Sequence, residues 1–291
     1  MSARYAVIGN PVAHSRSPAI HAQFARQTGI DLEYGRIFAP LDGFVAAVER
    51  FRDDGGRGLN VTLPFKLEAF AWATRHSERA AEAGAVNTLR FDGVDGAGAV
   101  PTAFGDNTDG AGLVRDLVER HAFALDGRSV LLLGAGGAAR GVVGPLLDAG
   151  VTRLVVTNRS APNGRRLVDA FAARAIHPVF VPFDAVEPGF DLIIDASGSG
   201  LRDEAVPLTD AVFGSAALAY DLFYAAQPTA FVRQALAAGC TRACDGLGML
   251  VEQAAESFLV WHGVRPDTEP VYRSLRQTLR AEAASPSPPA R

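Results

Sequence analysis

The chain has almost no lysine. Of its 28 basic residues 27 are arginine, and the one lysine is Lys66, at the end of the stretch GLNVTLPFK. Cysteine is nearly missing as well. Cys240 and Cys244, four apart in CTRAC, cannot build a disulfide framework, and no second Cys or His pair stands at zinc spacing. The six histidines, His14, His21, His76, His121, His177 and His262, are scattered without a metal-binding pattern. We read them as structural or surface residues, with His14 the exception to watch, and expect no metal. Strong charge of one sign is also lacking. A net charge of −4 and a pI near 5.9 supply no field for nucleic acid or an anionic membrane. The most apolar stretch, SVLLLGAGGAARGVVGPLLDAG, is broken by glycines, Arg140 and Pro145, so no bilayer span is expected. MSARYAVIGN lacks the apolar core of a secretory signal, and a cytoplasmic location is the expectation.

What is present is an α/β pattern: short β-rich runs alternating with amphipathic segments, over a length that suits two domains. RYAVIG reads as a first strand. SPAIHAQFARQTG reads as a helix capped by Ser17, with Pro18 in its first turn and Gly29 as its stop. GLNVTL is a third strand that delivers Lys66 to its carboxyl end, where open α/β sheets bind ligands. The Gly- and Ala-rich segment 92–105 reads as a loop or hairpin tip, and a helix starts near Thr108. A second βαβ series opens with SVLLLG and ends in two helical segments, 248–262 and 267–281. The tail AEAASPSPPAR has the composition of disorder. The expected units are 1–108, a substrate-binding domain; 109–246, a dinucleotide-binding domain; 247–281, closing helices; and a disordered tail, 282–291.

Between a clear strand and a clear helix, LLLGAGGAARG places Gly134, Gly136 and Ala139 at the positions of the GxGxx(G/A) fingerprint, with Ala135, Gly137 and Ala138 completing the turn. Backbone NH groups and a helix N-terminus there suit a pyrophosphate. About 20 residues further on, an NAD site carries a carboxylate for the ribose 2′-hydroxyl. This chain has Asn158, Arg159 and Ser160 instead. A guanidinium can hold a 2′-phosphate that a carboxylate would repel, which points to NADP.

Polar residues gather at the strand ends of the first half: Ser15 and Ser17, Asn60 and Thr62 with Lys66, Asn87, then Asp106 and Asp109 in GDNTDG. Hydroxyls, amides and one charge pair are what a small polyhydroxylated acid needs. With GNPVAHSRSP, NVTLPFK, AGAVNT, GDNTDG, GAGGAARG, NRS, YDLFY and DGLGMLVEQAA in that order, the chain resembles the shikimate dehydrogenase family over residues 4–280. The resemblance implies a substrate domain, a Rossmann domain and C-terminal helices that return to the first. It also implies reversible NADP-linked interconversion of 3-dehydroshikimate and shikimate in aromatic amino-acid biosynthesis, with a monomer or homodimer as the working unit. By the same resemblance, Ser15 and Ser17 hold the substrate carboxylate. Asn60, Thr62, Asn87 and Gln253 meet the ring hydroxyls, Tyr220 belongs to the cleft, and Leu222, Gly246 and Met249 join the cofactor residues. Lys66 and Asp109 are the catalytic pair.

That pair answers the question of the single lysine. Reducing a ketone builds negative charge on oxygen, which then needs a proton; an ammonium can stabilise and donate, whereas a guanidinium holds its proton. A carboxylate near 4 Å is worth about 4 kcal/mol at an effective dielectric of 20, enough to keep both groups charged at rest.

Four features depart from the family pattern. Asn163 stands where many NADP-using members carry a second arginine, with Arg165 and Arg166 next in line to replace it. Asp195 begins an Asp-Ala-Ser segment in place of Asn-Ala-Thr, and is expected to turn away from a pyrophosphate or to bond a backbone NH. AAQPT replaces the usual Asn-Pro pattern, and the 92–105 loop is long. Two other functions compete: a quinate/shikimate dehydrogenase, with relaxed or NAD preference, and a non-catalytic sensor of the same fold. Serine at both 15 and 17 argues against the first, and the presence of both Lys66 and Asp109 against the second.

Overall fold

A computed structural model describes residues 2–92 and 102–284. The first half runs β1 (Ala3–Gly9), α1 (Ser17–Thr28), β2 (Leu32–Phe38), α2 (Phe44–Asp53), β3 (Gly56–Val61), α3 (Lys66–Trp72), β4 (Arg75–His76), α4 (Glu78–Ala83), β5 (Thr88–Asp92) and β6 (Thr102–Asp106). These strands form one sheet in the order β2-β1-β3-β5-β6-β4. Its β1–β2, β1–β3 and β4–β6 pairs are parallel, but β5 runs antiparallel to both β3 and β6. That reversal has a use. It brings the start of β5, and Asn87 just before it, to the same sheet edge as the carboxyl ends of β1, β3 and β6. The tip joining β5 to β6, within the segment read as a loop, lies outside the described residues.

The second half runs α5 (Asp109–Arg115), a π-helical turn (Asp116–Arg120), β7 (Ser129–Leu133), α6 (Gly137–Asp148), β8 (Arg153–Thr157), α7 (Ala161–Asp169), β9 (Val179–Phe180), β10 (Leu192–Asp195), α8 (Asp210–Gly214), β11 (Leu218–Asp221), α9 (Ala230–Ala237), β12 (Ala243–Cys244), α10 (Leu247–His262) and α11 (Glu269–Ala284). Its sheet is wholly parallel, in the order β12-β11-β10-β7-β8-β9, the doubly wound arrangement with its switch point between β7 and β10. The α/β fold class expected from the sequence is the one observed.

Alternation along the strands builds the cores. On β7, Val130 and Leu132 face one cluster with Leu154, Val156 and Ile194, while Leu131 and Leu133 face another with Val155, Ile193 and Phe231. In the first sheet, Ala6 and Ile8 pack under Phe44, Val48 and Phe65, and Tyr5 on the opposite face lies 4.6 Å from Trp261 of α10, ring centre to ring centre. The closing helices therefore cover the first sheet: Ile20 and Phe24 of α1 share a cluster with Val251 and Phe258 of α10 and Leu275 of α11.

Local signals held in most places. Gly29 and Gly84 end their helices in the left-handed region, and Ser77 caps α4 by accepting from Ala80 N–H. Ser17 does not cap α1. It is the first helical residue, and the capping position is Arg16, because the Ser17 hydroxyl accepts from Ser15 across the loop. Helix α11 continues to Ala284, three residues into the segment read as a disordered tail; 285–291 lie outside the described residues.

Candidate active site

Lys66 is the first residue of α3 and Asp109 the first of α5, each delivered by the strand before it. Lys66 Nζ forms an ion pair with Asp109 Oδ2, and both side chains are largely withdrawn from solvent, at 12% and 6% exposure. The other carboxylate oxygen, Oδ1, accepts from Asn87 Nδ2 at 2.8 Å. Asn87 in turn accepts from Thr108 N–H at 2.9 Å and donates to the Thr108 hydroxyl and, at 3.3 Å, to Gln253 Oε1. A single buried amide thus fixes the turn that aims Asp109 at the lysine.

From this pair a track of polar groups leads to the loop after β1. Thr108 meets Ser257 at 3.2 Å, Ser257 accepts from Asn60 Nδ2 at 2.9 Å, and Tyr34 donates to Asn60 Oδ1 at 2.6 Å. Tyr34 also interacts with Ser17, which sits beside Ser15. Arg36 holds the loop by donating to Ser15 O at 2.7 Å. Thr62 follows β3 with its backbone NH on Ile8 O, and Gln253 lies on α10, anchored to Leu250 O. Ser15, Ser17, Asn60, Thr62, Asn87 and Gln253 therefore share one sheet edge with Lys66 and Asp109.

Asp106 does not point into this edge. Burial would raise its pKa, but the two hydrogen bonds and the charge of Arg79, with help from Ser77, hold it below the usual carboxylate range. It is a strut for the turn.

The assignment of Tyr220 to the cleft is corrected. Tyr220 is fully buried in the core of the second sheet, where its hydroxyl donates to Asp116 Oδ2 at 2.6 Å and accepts from Met249 N–H at 3.2 Å. Both the ring and the hydroxyl are used internally. Tyr224, four residues on in YDLFY, lies beside the backbone of Arg16 between the two serines. The two tyrosines of YDLFY carry the same side chain, one inside β11 and one just beyond it, so residue type alone does not separate them. The sequence pattern also passes over Thr108, Tyr34 and Ser257. Thr108 stood in plain view in GDNTDG; the other two are lone hydroxyls whose relevance depends on which elements meet.

The second half approaches through α6. A Cβ placed on Gly137 would stand 3.0 Å from Lys66 Cβ, and one on Gly141 would stand 2.6 Å from Asn107 Oδ1. Gly137, Gly141 and Gly144 share one helix face, and their missing side chains let α6 press against the lysine, the GDNTDG turn and Glu82. Gly134 has φ +111° and lies against Ala196 O, at the switch point. Gly136 has no atom within 4 Å of its absent Cβ, and so presents bare backbone at the start of α6. Met249 lies in the core cluster against which Ala135 packs, and Ala138 is the second residue of α6; Leu222 follows β11, and Gly246 follows β12 as the N-cap of α10, with its N–H on Phe223 O.

Asp195 bonds the Ser197 N–H at 2.8 Å and the Ser199 hydroxyl, fully buried, as the cost of facing a carboxylate to a pyrophosphate led us to expect. Its neighbour across the strand pair, Asp221, is pushed up to about 7 by burial and by the Asp195 charge. At the end of β8, Asn158 donates to Ser160 O, and Arg159 is exposed. Arg165 lies over the Phe180 ring at 5.4 Å, and Arg166 donates to Asn163 Oδ1.

The sequence matches the shikimate dehydrogenase substrate-binding domain over residues 7–89, shikimate/quinate 5-dehydrogenase over 116–200 and the shikimate 5′-dehydrogenase C-terminal domain over 246–276. It is 53% identical to shikimate dehydrogenase (NADP(+)) of Herminiimonas arsenicoxydans, over 96% of this chain and 99% of that one. To the enzyme of the same name from Aromatoleum aromaticum it is 54% identical, over 95% and 98%. The crystal structure of shikimate 5-dehydrogenase from Thermus thermophilus in complex with NADP(H) and shikimate superposes with a TM-score of 0.80, at 33% identity over 94% of this chain and 99% of that one. No helix among the described residues is long and apolar enough to cross a membrane. Near-complete relatives, the matched domains and the two-sheet architecture agree: the chain belongs to the shikimate dehydrogenase family.

Proposed function

We propose that the chain is a shikimate dehydrogenase, reducing 3-dehydroshikimate reversibly to shikimate with NADPH in aromatic amino-acid biosynthesis. One observation carries the reading. The polar track from Ser15 and Ser17 ends on the Lys66–Asp109 pair, and the stem of that lysine lies against Gly137 of the glycine-rich turn. Substrate groups and dinucleotide groups therefore meet at one ammonium.

The residues fit the cofactor. Gly136 is open, Gly134 has the backbone the turn needs, and exposed Arg159 has no carboxylate partner among the described residues. Gly134, Ala135, Gly136, Gly137 and Ala138 would hold the pyrophosphate, and Asn158, Arg159 and Ser160 the phosphorylated ribose, with Leu222, Gly246 and Met249 toward the nicotinamide. When bound, NADPH supplies the hydride.

The chain's own part is binding and proton transfer. Ser15 and Ser17 offer hydroxyls to the substrate carboxylate, with Tyr224 beside them. Asn60, Thr62, Asn87 and Gln253 offer donors and acceptors to ring hydroxyls. Lys66 stabilises the growing charge on the carbonyl oxygen and gives it a proton; in the reverse direction it takes that proton back. Asp109, held by Asn87, keeps the ammonium aimed and charged. We place the enzyme in the cytoplasm, where its free Cys240 and Cys244 suit a reducing environment, acting on a small molecule as a monomer or homodimer.

The test is reduced-nicotinamide absorbance with shikimate or quinate, each offered with NADP or NAD. Rapid signal with shikimate and NADP alone is the expected result. Preference for quinate would overturn the substrate assignment, equal rates with NAD the cofactor assignment, and no turnover by folded protein the enzymatic reading itself.

A further inference from the structure

The better-buried arginines of this chain include several that face carboxylates: Arg79 on Asp106, Arg120 on Asp116, Arg174 on Glu82, Arg265 on Glu252 and Arg276 on Asp245. Around the end of β8 they do not. Among the described residues, none of Arg140, Arg159 and Arg166 has a carboxylate within ion-pair distance, although all three are at least partly exposed. The fold brings them together. Strand β7 pairs with β8 up to Leu133 and Thr157, and Gly134 N–H donates to Thr157 O, so the first turns of α6 stand beside the loop 158–160 and the start of α7. Arg140 is the fourth residue of α6, and Arg166 lies in the second turn of α7. Burial, and then the like charge of Arg166, lower the pKa of the Arg140 guanidinium, and among the described residues neither cation is paired with a carboxylate.

We propose that Arg140 and Arg166, and not Arg159 alone, seat the phosphate monoester of the cofactor's ribose, with Asn163 tethering Arg166. The inference rests on the NADP reading proposed above. Asn163 and Arg166 are three apart on one helix face, and the hydrogen bond between them swings the guanidinium back toward the N-terminal turn of α7. Arg165 is unsuited to the task because its guanidinium lies over Phe180. A phosphate monoester carries about −1.5 to −2 charges near neutral pH and three acceptor oxygens, which suits two guanidinium groups better than a single-charged group would. The cluster is repulsive when empty and is relieved by a dianion; a 2′-hydroxyl gives no such relief. It therefore discriminates between the two nicotinamide cofactors even though position 163 is not arginine.

Calorimetric titration of the full chain with adenosine 2′,5′-bisphosphate and with 5′-AMP reads this site without catalysis. Wild-type protein should bind the bisphosphate far more tightly. Arg140→Met and Arg166→Met should each weaken the bisphosphate by about tenfold or more and leave AMP unchanged. Asn163→Ala should weaken it less, in the same direction, and Arg165→Met not at all. Arg140 is partly buried, so Arg140→Lys, which keeps the stem and the charge but not the fork, is the second variant there, with a smaller loss expected. Bisphosphate affinity within about twofold of wild type in the Arg140 and Arg166 variants, with loss confined to Arg159→Met, would overturn the proposal and leave the NADP reading intact. Equal binding of the two nucleotides by wild-type protein would overturn both.

Discussion

Asn87 Nδ2 lies 2.8 Å from Asp109 Oδ1, on the carboxylate whose other oxygen holds Lys66. The amide therefore holds the Lys66–Asp109 ion pair from behind, and it does so from a residue just outside β5, the one antiparallel strand among those described in this sheet. Asn87→Ala would leave the Thr108 N–H and one Asp109 oxygen without their buried partner. We expect a loss of about 1–3 kcal/mol in unfolding free energy and a fall in both kcat and shikimate affinity. Urea titration and steady-state kinetics on the same preparation check it. Wild-type kcat in this variant would show that Asp109 needs no such support.

Lys66→Arg tests what the lysine does that its 27 basic neighbours cannot. The substitution keeps the charge beside Asp109 but removes the proton donor. Turnover should fall by roughly 10²–10⁴-fold, with the KM for shikimate changed far less. Near-normal turnover would refute proton donation by this side chain.

Gly112 lets α5 lie against α10. A Cβ there would stand 2.7 Å from Gln253 N and 2.8 Å from Gln253 Cβ, contacts that α10 can escape only by shifting. Gly112→Ala should cost about 1–3 kcal/mol and raise the KM for shikimate more than it lowers kcat, because the displaced residue is one we assign to the substrate and not to proton transfer. Thermal unfolding and initial rates would show both effects; an unchanged KM would separate the packing from the site.

His21 makes stability depend on pH. It is fully buried, stacked on Tyr34 at 4.2 Å between ring centres, and burial drops its pKa to about 3. The unfolded chain takes up this proton near pH 6.5, the folded chain only near 3. The folded state is thus favoured fully above pH 6.5 and loses stability as pH falls through that window, by at most about 1.4 kcal/mol per unit. His21→Phe keeps the ring and should flatten the urea midpoint between about pH 6.5 and pH 4, a window set by the two protonation points. An undiminished slope would assign the acid sensitivity to other groups.

Arg174, from the second half, grips Glu82 of α4 through Nε and Nη2, the latter at 2.7 Å. Both side chains are about one-third exposed, so the coupling in a double-mutant cycle should be only about 0.5–1 kcal/mol and should shrink with added salt. Domain opening sensed by reduced-nicotinamide affinity should rise modestly in Arg174→Ala. A coupling that ignores salt would mean the pair is better shielded than its exposure implies.

Local pattern made much of this legible. Alternation in SVLLL marks β7 because successive side chains face two different cores, and the glycine run after it marks the turn because only bare backbone fits at Gly134. Lys66 stood out by composition alone. The tyrosines of YDLFY did not separate, because burial of Tyr220 depends on Asp116 and Met249, remote in sequence.

The sequence by itself determined the α/β class, the strand ends that carry the polar residues and the singular place of Lys66, since each follows from a period, a turn or a residue type within a few positions. Tertiary structure alone decided that β5 reverses and that Ser257, Thr108 and Tyr34 join the polar track. It also decided that Gly137, Gly141 and Gly144 of α6 admit Lys66, Asn107 and Glu82 in turn, and that Arg166 is tethered while Arg165 is engaged elsewhere. These depend on which surfaces meet, and the close approach of two elements is set by packing over the whole chain, which no short stretch encodes.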